Sequence, residues 1–264
     1  MTSVRELLRV DGAVDLAAID PSATPGTKKS SALKELPIDE ALLESWQERL
    51  TAEKKRSVLL VLQGMDTSGK DGTVKHVVGA IDPQGCRFVS FKQPTDEEKS
   101  HDFLWRIRNA LPRPGEVGVF NRSHYEDVLV VRVHGLVPEA VWRARYDQIN
   151  EFEASLADTA LVKVFLHISR DEQARRLIAR LDDPTKRWKF NDQDLVERGY
   201  WNDYMAAYDD AISNCPGWYV VPANHKWYRN WAIARLLIET IEEMGPQYPL
   251  PDLDIASLKK RVLG

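Results

Sequence analysis

The stretch SVLLVLQGMDTSGKDGTVKHVVGAI, residues 57–81, decides how the rest of the chain is read. Six of the seven residues from Val58 to Gly64 are apolar or glycine, and Gly64, Gly69 and Gly72 follow within nine positions. An apolar run therefore ends in a glycine-rich turn and then enters helical spacing, which predicts strand, loop and helix. Within it, Gly64-Met65-Asp66-Thr67-Ser68-Gly69-Lys70 fits the GxxxxGK pattern of a P-loop. Glycines there let backbone N–H groups close around phosphate, the lysine adds a point charge, and the helix beginning near Gly69 directs its positive end at the same anion. Asp71 stands where a Ser or Thr normally offers a hydroxyl to magnesium, with Gly72 after it. The nearest hard oxygen ligand is then Asp66, read here as a magnesium ligand or as the group that positions the attacking phosphate.

Outward from this stretch, apolar runs alternate with helical patterns. Upstream, residues 1–36 are rich in Pro, Ser, Thr and Gly, which predicts an extended arm, and Asp39 is a plausible cap for a helix through Leu50. Downstream, strands are predicted over 86–91, 116–120, 160–168 and 219–221. Helices are predicted over 97–111, 138–156, 171–180 and 224–244. The alternation implies an α/β fold, a parallel sheet of about five strands covered by helices on both faces. Residues 37–264 read as one domain, with a lid over about 171–210.

Composition narrows the function. With 264 residues, 43% of them hydrophobic, the chain can bury one large core. A net charge of -4 disfavours a nucleic-acid binder, so any polyanion site must be a local basic groove. Two cysteines without metal-like spacing, and no leader, point to a reducing, cytoplasmic setting. No apolar run approaches the eighteen or so residues of a membrane span, so no membrane partner is expected.

Three polar clusters fall on loops at the carboxyl end of the predicted sheet, where open α/β sheets bind ligands. Lys70 lies in the first. The second, Asn121-Arg122-Ser123-His124-Tyr125-Glu126-Asp127, follows the third strand, where P-loop enzymes keep the carboxylate that orders magnesium. An amide at Asn121 shifts metal binding onto Asp66, Glu126 or Asp127. The third, Arg175, Arg176, Arg180, Lys186 and Lys189, suits a lid that brings charge over a moving phosphoryl group and excludes water. Lys92 with Thr95, and Trp105 with Arg106, sit where a nucleotide kinase sorts its acceptor, Trp105 to stack on a base and Arg106 to hold a phosphate. Lys75, Arg132, Lys28 and Lys29 are further groove candidates because they are basic and near these loops. No NKxD, HRD or DFG stretch occurs, which argues against a GTPase switch and a protein kinase.

Taken in order, GMDTSGKDG, FKQPT, GVFNRSHYEDVLVVRVHG, RLDDPTKRWKF, DLVERGYWNDYMAAYDDAI and WYVVPANHKWYRNW resemble the polyphosphate kinase 2 family, from about Leu33 onward. The resemblance implies a thymidylate-kinase-like P-loop fold with a lid. It also implies transfer of the terminal phosphate of inorganic polyphosphate to AMP, ADP or the reverse from ATP, with magnesium, for which manganese substitutes. By the same likeness the chain is expected to form a homodimer or homotetramer. Lys70 and Asp66 match the family's Walker A lysine and aspartate, Arg122 the arginine after its second Walker motif, and Arg175, Arg176, Arg180, Lys186 and Lys189 its lid basic residues. That second motif usually reads Asp-Arg-Ser in ADP-preferring members, against Asn121-Arg122-Ser123 here. Glu126, with Asn in the ADP-preferring class, resembles the class III members that phosphorylate AMP as well as ADP. The expected chemistry is direct in-line transfer without a protein nucleophile. An ATP-dependent nucleoside monophosphate kinase and a non-catalytic P-loop sensor remain open on sequence alone.

Overall fold

A computed structural model describes residues 3–263; residues 1, 2 and 264, at the ends of the expected arm and domain, lie outside the described part. Its elements, in order, are α1 (Val4–Leu8), β1 (Arg9–Val10), α2 (Lys29–Glu53), β2 (Ser57–Gln63), α3 (Lys70–His76) and β3 (Cys86–Ser90). Then come α4 (Asp96–Lys99), α5 (Trp105–Ala110), β4 (Val117–Asn121), α6 (Glu126–Val133), α7 (Glu139–Ala154) and β5 (Thr159–His167). The chain continues through α8 (Arg170–Asp182), α9 (Gln193–Gly199), α10 (Trp201–Asn214), β6 (Trp218–Pro222), α11 (Lys226–Met244) and α12 (Ile255–Val262).

The strands form one sheet in the order β1-β6-β5-β2-β4-β3. The five strands from β2 to β6 are parallel to one another, so all their carboxyl ends lie at one edge. β2 is central and buried throughout, which is why its sequence is an uninterrupted apolar run and not an alternating one. The reversal of strand order between β5 and β4 places the loop after β2 at the crevice where such sheets hold ligands. Helix α11 packs along α2 on one face, with Leu43 and Leu50 fully buried there. α10 packs on α6 and α7 packs beside it.

Three expectations change. The arm expected to be extended over 1–36 is, from residue 3 onward, folded back onto the domain: Val4, Leu8 and Leu16 are buried, and β1 adds a sixth strand, antiparallel to β6. Composition concealed this because the segment is held by hydrogen bonds to distant residues. Ser3 Oγ and the N–H groups of Val4 and Arg5 donate to the Glu239 carboxylate. Second, α2 starts ten residues before Asp39, which is no cap but a buried carboxylate bonded to Arg235 at 3.2 Å. Third, the helix expected over 97–111 is two short ones, because residues 100–104 turn at Asp102, which accepts the Leu104 N–H. Among the described residues, no helix is long and apolar enough to cross a membrane.

Candidate active site

The loop between β2 and α3 curls because Gly64 and Gly69 take φ of +147° and +114°, and Thr67 joins them at 63°. Only glycine fits at Gly64, where a Cβ would lie 2.9 Å from the Leu166 carbonyl, and at Gly69, where it would meet the Arg229 guanidinium at 1.9 Å. Lys70, the first residue of α3, folds back and donates to the carbonyls of Gly64 and Met65 at 2.6 and 3.2 Å. Burial, then the charge of Arg122, pull its ammonium down to a pKa of about 8. The Thr67, Ser68 and Thr73 hydroxyls are buried without a hydrogen-bond partner, so the loop carries donors in want of an acceptor.

β4 delivers the second cluster to this loop. Arg122 adopts φ 65°, an uncommon conformation for a side-chain-bearing residue, while its N–H still bonds to Leu62 of β2. The kink turns its guanidinium back over the P-loop, 2.8 Å from Asp66 Oδ1 and 3.6 Å from Glu126. Those carboxylates, Glu126 first, raise its pKa above the ordinary arginine value. The turn that follows is anchored from below. His124 and the Tyr125 hydroxyl bond to Glu153 of α7, and Glu153 is paired with the buried Lys163 of β5 at 2.5 Å. That pairing also accounts for a lysine inside an otherwise apolar strand.

A cleft of about 830 Å³ opens along the carboxyl edge. Lys70, Arg122, Arg175, Arg176, Arg180, Lys186 and Lys189 line it, with Asp66, Gly69, Asp71, Gly72, Lys92 and Asn121. Asn121 donates to Asp71 at 3.0 Å, and Lys189 lies 3.8 Å from that same carboxylate. Two cations absent from the sequence expectations join them, Lys226 and Arg229 of α11. Burial, then the neighbouring Arg176, hold Arg229 down at about 10. Their signal was present in the sequence, as two basic residues three apart opening a helix straight after a strand. A second cavity, about 250 Å³, meets the cleft at Asp66 and Arg122 and runs under α9 past Glu126, Tyr204 and Tyr208.

Several expected residues are placed differently. Arg132 lies outside both cavities, paired with Asp210 at 2.5 Å and stacked over Trp142, because the face of α6 that carries it turns toward α10. Lys75 is exposed and outside the cleft lining. Thr95 caps α4, with its hydroxyl on the Glu98 N–H, and Trp105 stacks on His101 at 4.2 Å. Arg106 is buried, donates to the Lys92 carbonyl at 2.9 Å and faces Glu98 and Asp127. It shapes the loop carrying Lys92 and does not open onto a ligand. Asp127 is taken up by Arg145 at 3.3 Å and Arg106 at 3.8 Å, away from Asp66, which removes it from a shared metal site. Arg176 reaches the cleft, yet all five of its N–H donors are engaged by protein oxygens. Of the lid expected over 171–210, α8 and α10 are packed parts of the body, with Gln173, Tyr204, Ala207 and Tyr208 buried. Residues 183–199 form the exposed flap between them.

The family model described as polyphosphate kinase 2 matches residues 27–249. The chain belongs to the polyphosphate kinase 2 family. A family relative from Meiothermus ruber, named AMP/ADP-polyphosphate phosphotransferase, is 49% identical, covering 92% of this chain and 94% of its own. The ADP-polyphosphate phosphotransferase of Rhodopseudomonas palustris is 45% identical over 78% of each chain. The crystal structure of polyphosphate kinase 2 from Arthrobacter aurescens superposes with a TM-score of 0.96 at 48% identity, covering 99% of this chain and 97% of that one. The fold is thus that of a P-loop kinase, and the cleft lies where that fold binds phosphate.

Proposed function

We infer that this chain is a polyphosphate-dependent nucleotide kinase, moving the terminal phosphate of inorganic polyphosphate to AMP and ADP and running in reverse from ATP. The observation that carries the reading is the cleft itself. Its lining gathers nine Lys and Arg side chains beyond the P-loop lysine, on α8, α11, the flap and the ends of β3 and β4, in a chain whose net charge is -4. A linear polyanion matches that lining, whereas the triphosphate of a single nucleotide would leave much of it unneutralised.

Polyphosphate lies along the cleft, its terminal phosphate against the N-terminus of α3 and Lys70. The acceptor's phosphate oxygen attacks that phosphorus in line, where Arg122 reaches between the cleft and the second cavity. Arg122, already held charged by Glu126 and Asp66, neutralises the transferring group. Lys92 and Asn121 border the acceptor end, and Arg175, Arg180, Lys186 and Lys189 close from the flap side. No protein nucleophile is called for.

Magnesium suits this lining. No group of three or more His, Cys, Asp or Glu forms a cage among the described residues, and none is needed, because the ion is commonly held by one or two carboxylates together with substrate phosphates and water. Asp66, half-buried and shared by both cavities, would hold it with Glu126 beside it, Arg122 lying between the two carboxylates. Bound there, the ion would supply positive charge against the phosphate oxygens. Both cysteines are free, consistent with a reducing, cytoplasmic setting. Assembly as a homodimer or homotetramer rests on the family likeness and is measured by light scattering.

The deciding assay mixes AMP or ADP with long-chain polyphosphate and magnesium, without ATP, and follows ADP and ATP. Product supports the reading. A requirement for ATP as donor selects a nucleoside monophosphate kinase, and binding without product selects a sensor.

A further inference from the structure

The P-loop carbonyls show an arrangement that phosphate binding alone does not demand. All five from Gly64 to Ser68 are held by side chains. Lys70 takes those of Gly64 and Met65. Gln173 Nε2 donates to Asp66 O at 3.1 Å, and Arg176 Nη1 donates to Thr67 O and Ser68 O, both at 2.9 Å. Gln173 and Arg176 are three apart on α8 and so share one of its faces. In a trans peptide the C=O and N–H point opposite ways. Drawing the carbonyls of residues 66 and 68 toward α8 therefore sends the N–H groups of Thr67 and Gly69 away from it. Neither makes a hydrogen bond among the described residues.

The other end of the arginine is fixed as firmly. Nη2 donates to Ala223 O and Asn224 O at 2.6 and 3.1 Å, and Nε to Glu172. Asn224 in turn accepts the Ser169 N–H just before α8, and donates to Ser22 and Pro21 of the N-terminal segment. Gln173 is tied toward the flap, its Oε1 accepting from Arg198 at 2.8 Å.

We propose that Arg176 and Gln173 are positioning residues that set which face of the P-loop peptides meets polyphosphate, and that Arg176 is not itself a polyphosphate ligand. A guanidinium with all donors engaged and its side chain 8% exposed offers nothing further to a phosphate. Released, the same peptides could turn their carbonyl oxygens toward the polyanion, and repulsion would replace attraction at the point of transfer. The proposal rests on the cleft being a phosphoryl-transfer site; wild-type protein that makes no product from polyphosphate would remove that premise before any variant is compared.

The test measures initial rates with ADP and polyphosphate of fixed length across a range of salt. The variants are Arg176→Lys, Arg176→Gln and Gln173→Leu, with Lys189→Gln as the example of a flap charge that faces polyphosphate. Arg176→Lys and Arg176→Gln should each lower kcat roughly 100-fold, the scale of a 1 Å misplacement. The steepness with which KM for polyphosphate rises with salt should stay as in wild type. Lys189→Gln should flatten it, because a charge that displaces counterions from a polyanion has been removed. Gln173→Leu, which changes no charge, should lower kcat about tenfold if one of the three carbonyl bonds from α8 is lost. Arg176→Lys within threefold of wild type, or a flattened salt dependence in Arg176→Gln, would overturn the proposal. If the Arg176 variants do not fold by circular dichroism, Gln173→Leu decides alone, and an unchanged kcat in it refutes the positioning role.

Discussion

The P-loop with its α8 support and the flap at 183–199 are built from similar residues and behave as opposites. In the first, Lys70, Gln173 and Arg176 are buried and bonded across long stretches of chain. In the second, the bonds of residues 183–188 are local: Lys186 and Thr185 to Asp183, Arg187 to Leu181, Trp188 to Thr185. Trp188 stands 77% exposed, and Leu195 and Val196 are about half exposed. The flap meets the body through polar pairs at its edges, Arg180 with Asp194, Lys189 with Asp71, Arg198 with Gln173 and the Arg170 carbonyl, and Glu197 with His134 and Tyr204. Regions with few buried apolar contacts open at lower cost than a packed core. A cationic side chain is thus part of the frame where it is buried and saturated, and keeps donors available to a ligand where it is exposed.

The contrast can be broken most severely at the frame. Lys70→Ala removes both the charge and the two carbonyl bonds, and kcat/KM for polyphosphate should fall by about 10³ or more, roughly 4 kcal/mol of transition-state stabilisation. A loss below tenfold would mean that the terminal phosphate does not sit at this loop. At the seam between the cavities, Glu126→Asn should lower AMP turnover at least about tenfold relative to ADP, about 1.4 kcal/mol. A carboxylate there would help hold a cation whose charge screens the repulsion between the two phosphates; equal losses for both acceptors would remove Glu126 from acceptor choice.

The flap should respond through binding. Lys186→Ala with Lys189→Ala should raise KM for polyphosphate about tenfold while the melting temperature moves by under about 2 °C, since exposed ion pairs add little stability. A large fall in melting temperature would make the flap part of the frame. Protons separate the regions further. Lys70 loses its charge near pH 8 in the free protein, so kcat/KM should be flat below that pH on its account and fall above it. Stability runs the other way: between about 8 and 10.5 the unfolded chain keeps the lysine proton that the folded chain has released. The unfolded state then binds more protons, and this residue's contribution to stability rises with pH. Lys70→Met should abolish that slope in denaturant titrations. The smallest effect is expected from Trp188→Ala, under about 0.5 kcal/mol in stability, because an exposed side chain leaves no cavity.

Legibility followed the range of the interactions involved. The order of strand, glycine turn and helix around Lys70 is a local property, set by apolar continuity and backbone freedom within 25 residues, so the sequence displayed it directly. The same holds for Arg122 at the end of β4. The roles of Arg132, Arg106, Asp127 and Arg176 did not show, because each is fixed by a partner distant in the chain: Asp210, Lys92, Arg145 and the P-loop carbonyls. A basic residue near a predicted loop looks the same whether its donors face a ligand or a carbonyl. The folded N-terminal segment escaped for the same reason, its anchors lying more than 200 residues away at Glu239 and Asn224.

By itself, then, the sequence determined a parallel α/β sheet with a phosphate-binding loop at its centre, a basic stretch before the last strand, and a likeness to one kinase family. Tertiary structure decided which of those basic groups face the cleft, that α11 contributes Lys226 and Arg229, and that the exposed part of the expected lid shrinks to 183–199. Backbone preference and apolar periodicity act between neighbours and survive in a string of letters. Burial and hydrogen-bond saturation exist only once distant segments have met.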